Sequence, residues 1–251
     1  MKKIFSGSTL KILAIFFMVV DHWGQVVLKN GIILNAPYSM FTDEQFSCLM
    51  YMVDICHILG RISFPIFCYL LVEGFIHTHD VKKYIFNLGI FAIISEPIYD
   101  LAGTGSLFSL NQQNVLFTLL LGLIVIAIIK KYNKKVIISF CSIVIGSTIS
   151  YICKFDGWYY GIGLISAFYI FYDKPKLKYT FSILIMYICG LDFSLNGVID
   201  PYFLTAVFSL LLISQYNGKR GLNMKYFFYI FYPLHLLILF FISECISKAF
   251  L

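Results

Sequence analysis

The chain has 251 residues, of which 60% are hydrophobic and 13% charged, with a formal net charge of +6. Soluble domains carry roughly a quarter charged residues, so this composition excludes a water-exposed globular surface. Apolar runs of the length that crosses about 30 Å of hydrocarbon recur from end to end, which leaves one membrane domain over residues 1–251 and no room for a soluble one.

Runs such as Val115 to Ile129 and Val136 to Ile152 are apolar on every side, the pattern of helices and not of the alternating strands of a β-barrel. The expected fold class is all-α, a polytopic integral membrane helical bundle with about nine transmembrane helices. In chain order the predicted spans are 9–28, 49–76, 82–101, 114–130, 135–153, 158–172, 177–191, 201–216 and 225–247. Lys2 and Lys3 before the first span resemble the start of a signal peptide. The run leads instead into Asp21-His22-Trp23 with no small-residue cleavage site, so an uncleaved helix is expected. Gly60 and Pro65 predict that the second span is kinked or broken.

Five loop clusters, Lys2/Lys3, Lys82/Lys83, Lys130/Lys131/Lys134/Lys135, Lys174/Lys176/Lys178 and Lys219/Arg220/Lys225, hold 14 of the 19 basic residues. They alternate with acidic or polar loops at Asp43-Glu44, 101–114, Asp156-Gly157-Trp158 and Asp192 to Asp200. The positive-inside rule puts the N-terminus in the cytoplasm and, with an odd number of spans, the C-terminus outside. The lysine clusters thus read as topology and not as a nucleic-acid surface. The seven cysteines are scattered, with no Cys-x-x-Cys and no His/Cys group at zinc spacing, and are expected to be packed thiols. His77-Thr78-His79 offers only two ligands, so no metal is expected. No internal repeat is evident.

An ionisable group at the bilayer centre costs from about 2.5 to more than 10 kcal/mol, so each one needs a partner or a purpose. At about 1.5 Å per residue, His22 and Glu96 stand roughly 20 Å above the inner ends of their spans and His235 roughly 15 Å, while Arg61 lies roughly 18 Å below an outer end. Four helices therefore place titratable groups in one layer. Asp54, His57 and Arg61 share a face of span two, as Glu96 and Asp100 do in span three and Tyr232 and His235 in span nine. Pro233 frees a backbone carbonyl one turn earlier. Asp21 is about 100° around the helix from His22 and is suited to orient another group. Lys11 and Glu73, near the inner boundary, are expected to snorkel to water.

Singly, each of these groups is equally well read as a structural hydrogen bond across helices. For His22, Arg61 and His235 together, function is the stronger reading. Neutral imidazole is a general base near pH 7, and an adjacent arginine binds an oxyanion, a combination suited to acyl transfer to an amine or hydroxyl. No serine, cysteine or threonine nucleophile stands at an interpretable spacing from either histidine. Direct base-assisted transfer is the simpler route, with a histidine-acyl intermediate left open. The same buried charges also suit a secondary transporter or proton-coupled channel.

Leu10-Lys11-Ile12 leading to Val20-Asp21-His22, Gly60-Arg61-Ile62-Ser63-Phe64-Pro65-Ile66-Phe67 with Leu71 to Thr78, Ile94 to Asp100, Gln113 to Leu119, and Phe227 to Leu236 form an ordered set across almost the whole chain. This set resembles the TraX family of membrane acetyltransferases. The resemblance implies acetyl transfer from cytoplasmic acetyl-CoA, the founding role of the family being N-terminal acetylation of conjugative pilin. It also implies likeness to a wider group of membrane acyltransferases that acylate sugars or lipids outside the cell using a histidine on an early helix. That role maps to His22, with Asp21, Arg61 and His235 as catalytic companions. Glu96, Asp100, Asn114, Tyr232, Asp54 and His57 are candidate substrate-binding residues. Lys82 and Lys83 are candidates for the phosphates of coenzyme A, simple positive-inside signals being the competing reading. The partners implied are acetyl-CoA, a peptide, glycan or lipid acceptor and the lipid bilayer of a bacterial-type cell membrane, without nucleic acid.

Overall fold

The computed structural model describes residues 3–190 and 195–249; Lys2, the end of the predicted seventh span at residue 191, and Asp192 lie outside the described residues. Sequence this apolar satisfies its backbone polar groups within each segment, and the regular structure is accordingly helical. The helices are α1 (Gly7–Ile33), α2 (Asp43–Gly60), α3 (Ser63–His77), α4 (Val81–Thr104), α5 (Val115–Lys131), α6 (Val136–Ile152), α7 (Trp158–Ile170), α8 (Pro175–Cys189), α9 (Leu195–Val198), α10 (Pro201–Ser214) and α11 (Lys225–Ser247). Among the described residues the only bridges are two isolated ones, Phe5 to Tyr216 and Gln113 to Phe155.

The predicted all-α bundle is therefore observed. Four segments, Gly7–Ile33, Asp43–His77, Val81–Thr104 and Phe227–Ser247, are long and apolar enough to cross a membrane. The helices at the other five predicted spans, α5 to α8 and α10, have 13 to 17 residues. That is shorter than the roughly 20 residues a full crossing takes.

Helix ends follow local chemistry. Ser6 Oγ accepts the Thr9 N–H at 3.2 Å, Asp80 Oδ1 that of Lys83 at 2.9 Å and Asn114 Oδ1 that of Leu116 at 2.9 Å, capping α1, α4 and α5. Gly105, at φ 72°, closes α4 in the left-handed conformation that glycine adopts freely. The predicted break in span two falls at Arg61-Ile62. Pro65 sits in the first turn of α3, where its missing N–H would have had no intrahelical partner. Immediately after His22, α1 widens into a π-helix over Trp23–Ile33. Such segments are rare and concentrate at functional sites.

α3 is the central element and packs on α1, α5, α7 and α10, while α11 packs on α4 and on the π-helical part of α1. Leu10, Ala14, Ile66, Phe75, Leu123 and Phe168 are fully buried between these helices. The outer surface is apolar too, with Val136, Ile137 and Phe140 on α6 and Phe86 and Ile93 on α4 exposed, as a lipid-facing surface requires.

Two expectations are corrected. Of the cysteines only Cys68 is buried, while Cys48, Cys141, Cys153 and Cys245 are exposed, because the outer surface of this bundle accepts a weakly polar thiol as readily as the core does. Glu73 does not snorkel. It is 6% exposed, its Oε1 accepts the hydroxyls of Tyr69 at 2.8 Å and Tyr172 at 2.9 Å, and His77 Nε2 lies 3.5 Å from Oε2. A buried carboxylate persists when hydrogen bonds replace its water, and here the tyrosines of α3 and of the segment after α7 supply them.

Candidate functional site

α1 and α11 bring His22 and His235 into contact. His22 Nδ1 is 2.7 Å from His235 Nε2, with the rings stacked 5.0 Å apart at 16°. His235 Nδ1 lies 2.9 Å from the carbonyl oxygen of Phe231, one turn back on α11. A carbonyl only accepts, so His235 carries its proton on Nδ1. With both rings neutral, His235 Nε2 is then an acceptor and the proton between the rings belongs to His22 Nδ1. The remaining lone pair is on His22 Nε2. The Phe231 ring stacks on His235 at 5.1 Å, and Tyr232, 1% exposed, stands edge-on to His22 at 6.3 Å. The Tyr232 hydroxyl lies near the Val115 N–H without reaching hydrogen-bond geometry.

His22 and Tyr232 line a cavity of about 770 Å³ that extends to the loops at the acidic end of the bundle. Asp21, Arg61, Gln112, Asp156 and Asp200 line it as well, with the aromatic rings of Phe64, Trp158, Tyr159, Tyr160 and Tyr202. Asp21 does orient a group other than its neighbour: its Oδ1 is 2.9 Å from His57 Nδ1. The Arg61 guanidinium lies 5.3 Å from the centre of the Tyr202 ring, whose hydroxyl donates to Asp54 Oδ1 at 3.5 Å. Among the described residues no carboxylate comes within ion-pair distance of Arg61.

Asp156 is held by the outer loops. The backbones of residues 113 and 154–156 pair, Gln112 Nε2 donates to Asp156 Oδ1 at 3.2 Å, and Thr118 Oγ1 donates to its carbonyl. Burial, with the charge of Asp21 adding to it and Arg61 opposing, pushes the Asp156 carboxyl up to about 6.

The rest of the predicted layer is used differently. Glu96 Oε2 accepts the Asn114 N–H at 3.0 Å and its side-chain amide as well. That amide also donates to the Ala92 carbonyl at 2.9 Å, so Asn114, 0% exposed, ties the start of α5 to α4. Asp100, 2% exposed, accepts the Ser109 N–H at 2.8 Å and fixes the loop after α4. Glu96, Asp100 and Asn114 thus sit at helix and loop junctions and line neither the cavity with His22 nor the one described next, and Asp54 and His57 stand behind Tyr202 and Asp21.

A second cavity, of about 500 Å³, lies at the basic end. Lys11, Lys83 and Arg220 line it together with Glu73 and His77, and Leu70, Leu88, Leu119 and Phe228 line it further in. The segment before α1 is laid against the loop after α10 by hydrogen bonds from Gly7 N to Lys219 O (2.8 Å) and Ser8 N to Arg220 O (2.9 Å), which brings Lys11 and Arg220 to one wall. Three cations beside an apolar lining fit a ligand with a phosphorylated head and a slender tail, although Glu73 and Asp80 line the cavity too. Of the two predicted phosphate ligands, both exposed, Lys83 lines this cavity and Lys82, its neighbour on the helix, does not.

Sequence reasoning passed over Asp156, Tyr202 and Arg220. Asp156 carried a signal in its acidic loop and Arg220 read as a topology charge, while nothing in the sequence singled out Tyr202.

Residues 6–243 match a family model described as TraX protein. The chain is 27% identical over 268 residues to "Probable fimbrial assembly protein FimC, serogroup H1" of Dichelobacter nodosus, a match covering 98% of this chain and 97% of that protein. No solved structure matches. The family match takes in the helices that carry both cavities, and the chain belongs to the TraX family.

Proposed function

We propose that the protein is a multi-pass acetyltransferase of a bacterial cell membrane that moves an acetyl group from acetyl-CoA at the basic, cytoplasmic end to an acceptor amine at the acidic, outer end. The observation that supports this best is the chain of hydrogen bonds from the Phe231 carbonyl through His235 to His22, which leaves His22 Nε2 as a base in a cavity shared with Arg61. Coenzyme A supplies a thioester, and Lys11, Lys83 and Arg220 would hold its phosphates. His22 Nε2 takes the proton that the acceptor nitrogen loses as it bonds to the carbonyl carbon. Arg61 stabilises the negative charge on the carbonyl oxygen. The carbon–sulfur bond then breaks, and the sulfur leaves and takes up the proton. Transient acylation of His22 itself is the variant route.

The lining of the outer cavity favours an amine over a hydroxyl. Asp21, Asp156 and Asp200 face a single arginine, among aromatic rings that attract cations. The role implied by the family resemblance and the name of the Dichelobacter relative point to the N-terminus of a fimbrial or pilin-like subunit; glycans and lipids are the other acceptor classes. The test is purified protein in lipid with labelled acetyl-CoA. Label should pass to an amine-bearing peptide or to water, and a His22→Ala protein that does so equally well would sink the assignment. Two cavities at opposite ends also suit a secondary transporter, which predicts solute uptake into vesicles with no dependence on acetyl-CoA.

A further inference from the structure

Four helices carry both cavities, and the distance between the two sets of lining residues differs on each; on α5 Val115 lines the outer cavity and Leu119 the basic-end one, roughly 6 Å apart along the helix. On α1 the basic-end cavity is lined as far as Lys11 and the outer one from Met18; on α11 the change comes between Tyr229 and Tyr232. At about 1.5 Å per residue these gaps are roughly 10 Å and 4.5 Å. On α3 there is no gap. Ser63 and Phe64 line the outer cavity, Leu70 and Leu71 the basic-end one, and Phe67 lines both; among the described residues it is the only side chain that does. Its ring is 8% exposed and lies 4.7 Å from that of Phe228, which lines the basic-end cavity. At this level the wall between the two spaces is one aromatic ring thick.

We propose that Phe67 is the partition between the donor and acceptor cavities and the residue that limits the acyl group to two carbons. The proposal rests on the transferase reading. A thioester entering from Lys83 and Arg220 approaches His22 past the Phe67 ring, because His22 lies on the far side of it. The carbons of a longer acyl chain would need the volume the ring fills. A close-packed wall cannot supply that space, and each misplaced methylene changes selection by about 10- to 200-fold.

The experiment compares kcat/KM for acetyl-, butyryl- and hexanoyl-CoA with one amine-bearing peptide in wild type, Phe67→Leu, Phe67→Ala and Phe67→Trp proteins in lipid. The expected result is wild-type preference for acetyl over butyryl of at least tenfold, a ratio reduced at least tenfold in Phe67→Leu and further in Phe67→Ala, and loss of all transfer in Phe67→Trp. Phe67→Leu keeps most of the buried volume and so remains informative if the alanine protein fails to fold. Unchanged chain-length ratios in a folded Phe67→Leu protein overturn the proposal and leave the transferase reading standing. A wild-type protein that transfers no acyl group at all overturns both.

Discussion

Replacing His235 by phenylalanine separates its role from that of His22. The new ring keeps the stacking on Phe231, now 5.1 Å, but offers no acceptor to His22 Nδ1, now 2.7 Å from Nε2. A buried N–H left without a partner costs about 1–3 kcal/mol, and the tautomer with the proton on Nε2, which is not a base, becomes accessible to His22. At about 1.4 kcal/mol per factor of ten, that cost corresponds to a loss of roughly 5- to 150-fold in kcat/KM. Glutamine at the same position offers an amide oxygen as acceptor and should recover part of the loss. A double His22→Ala, His235→Phe protein should be no slower than His22→Ala alone, since the two residues act as a unit. Steady-state transfer of labelled acetyl groups measures all four proteins. Wild-type rate in a folded His235→Phe protein, or fully additive losses in the double variant, would refute the tautomer argument.

Charge at the cavities gives further tests. Burial pushes the Asp156 carboxyl up from 3.8 to about 6, so the folded form binds the extra proton between these values and the fold loses stability progressively from about pH 4 to about pH 6, the loss being complete above that. Asp156→Asn, which keeps an oxygen for Gln112, should therefore be more stable by about 1–3 kcal/mol in melts near pH 8, the difference vanishing below about pH 4. A destabilised asparagine protein near pH 8 would contradict the sign. Arg220→Ala and Lys83→Ala should each raise KM for acetyl-CoA about tenfold, while Lys82→Ala leaves it unchanged; equal effects of Lys82 and Lys83 would show that only overall charge matters. Asn114→Ala removes the cap of α5 and the partner of Glu96 together and should cost about 2–4 kcal/mol in thermal unfolding, with the chain-length preference of any surviving protein unaltered.

The residues themselves determined a great deal. The apolar runs dictated helices because a backbone in hydrocarbon has no other local partner, Gly60 and Pro65 marked the break between α2 and α3, and helical rise predicted one level for His22, Arg61, Glu96 and His235, of which the structure brings His22 and His235 into contact. Rise gives height and leaves direction around the bundle open, since that depends on which helices pack together. Only the tertiary structure decided that His22 faces His235, that Asp21 serves His57, that Glu96 is taken by Asn114, and that Glu73 is buried among tyrosines. The same holds for the two cavities and for Phe67 between them. Each is a space enclosed by residues far apart in the chain, and no local pattern encodes a space.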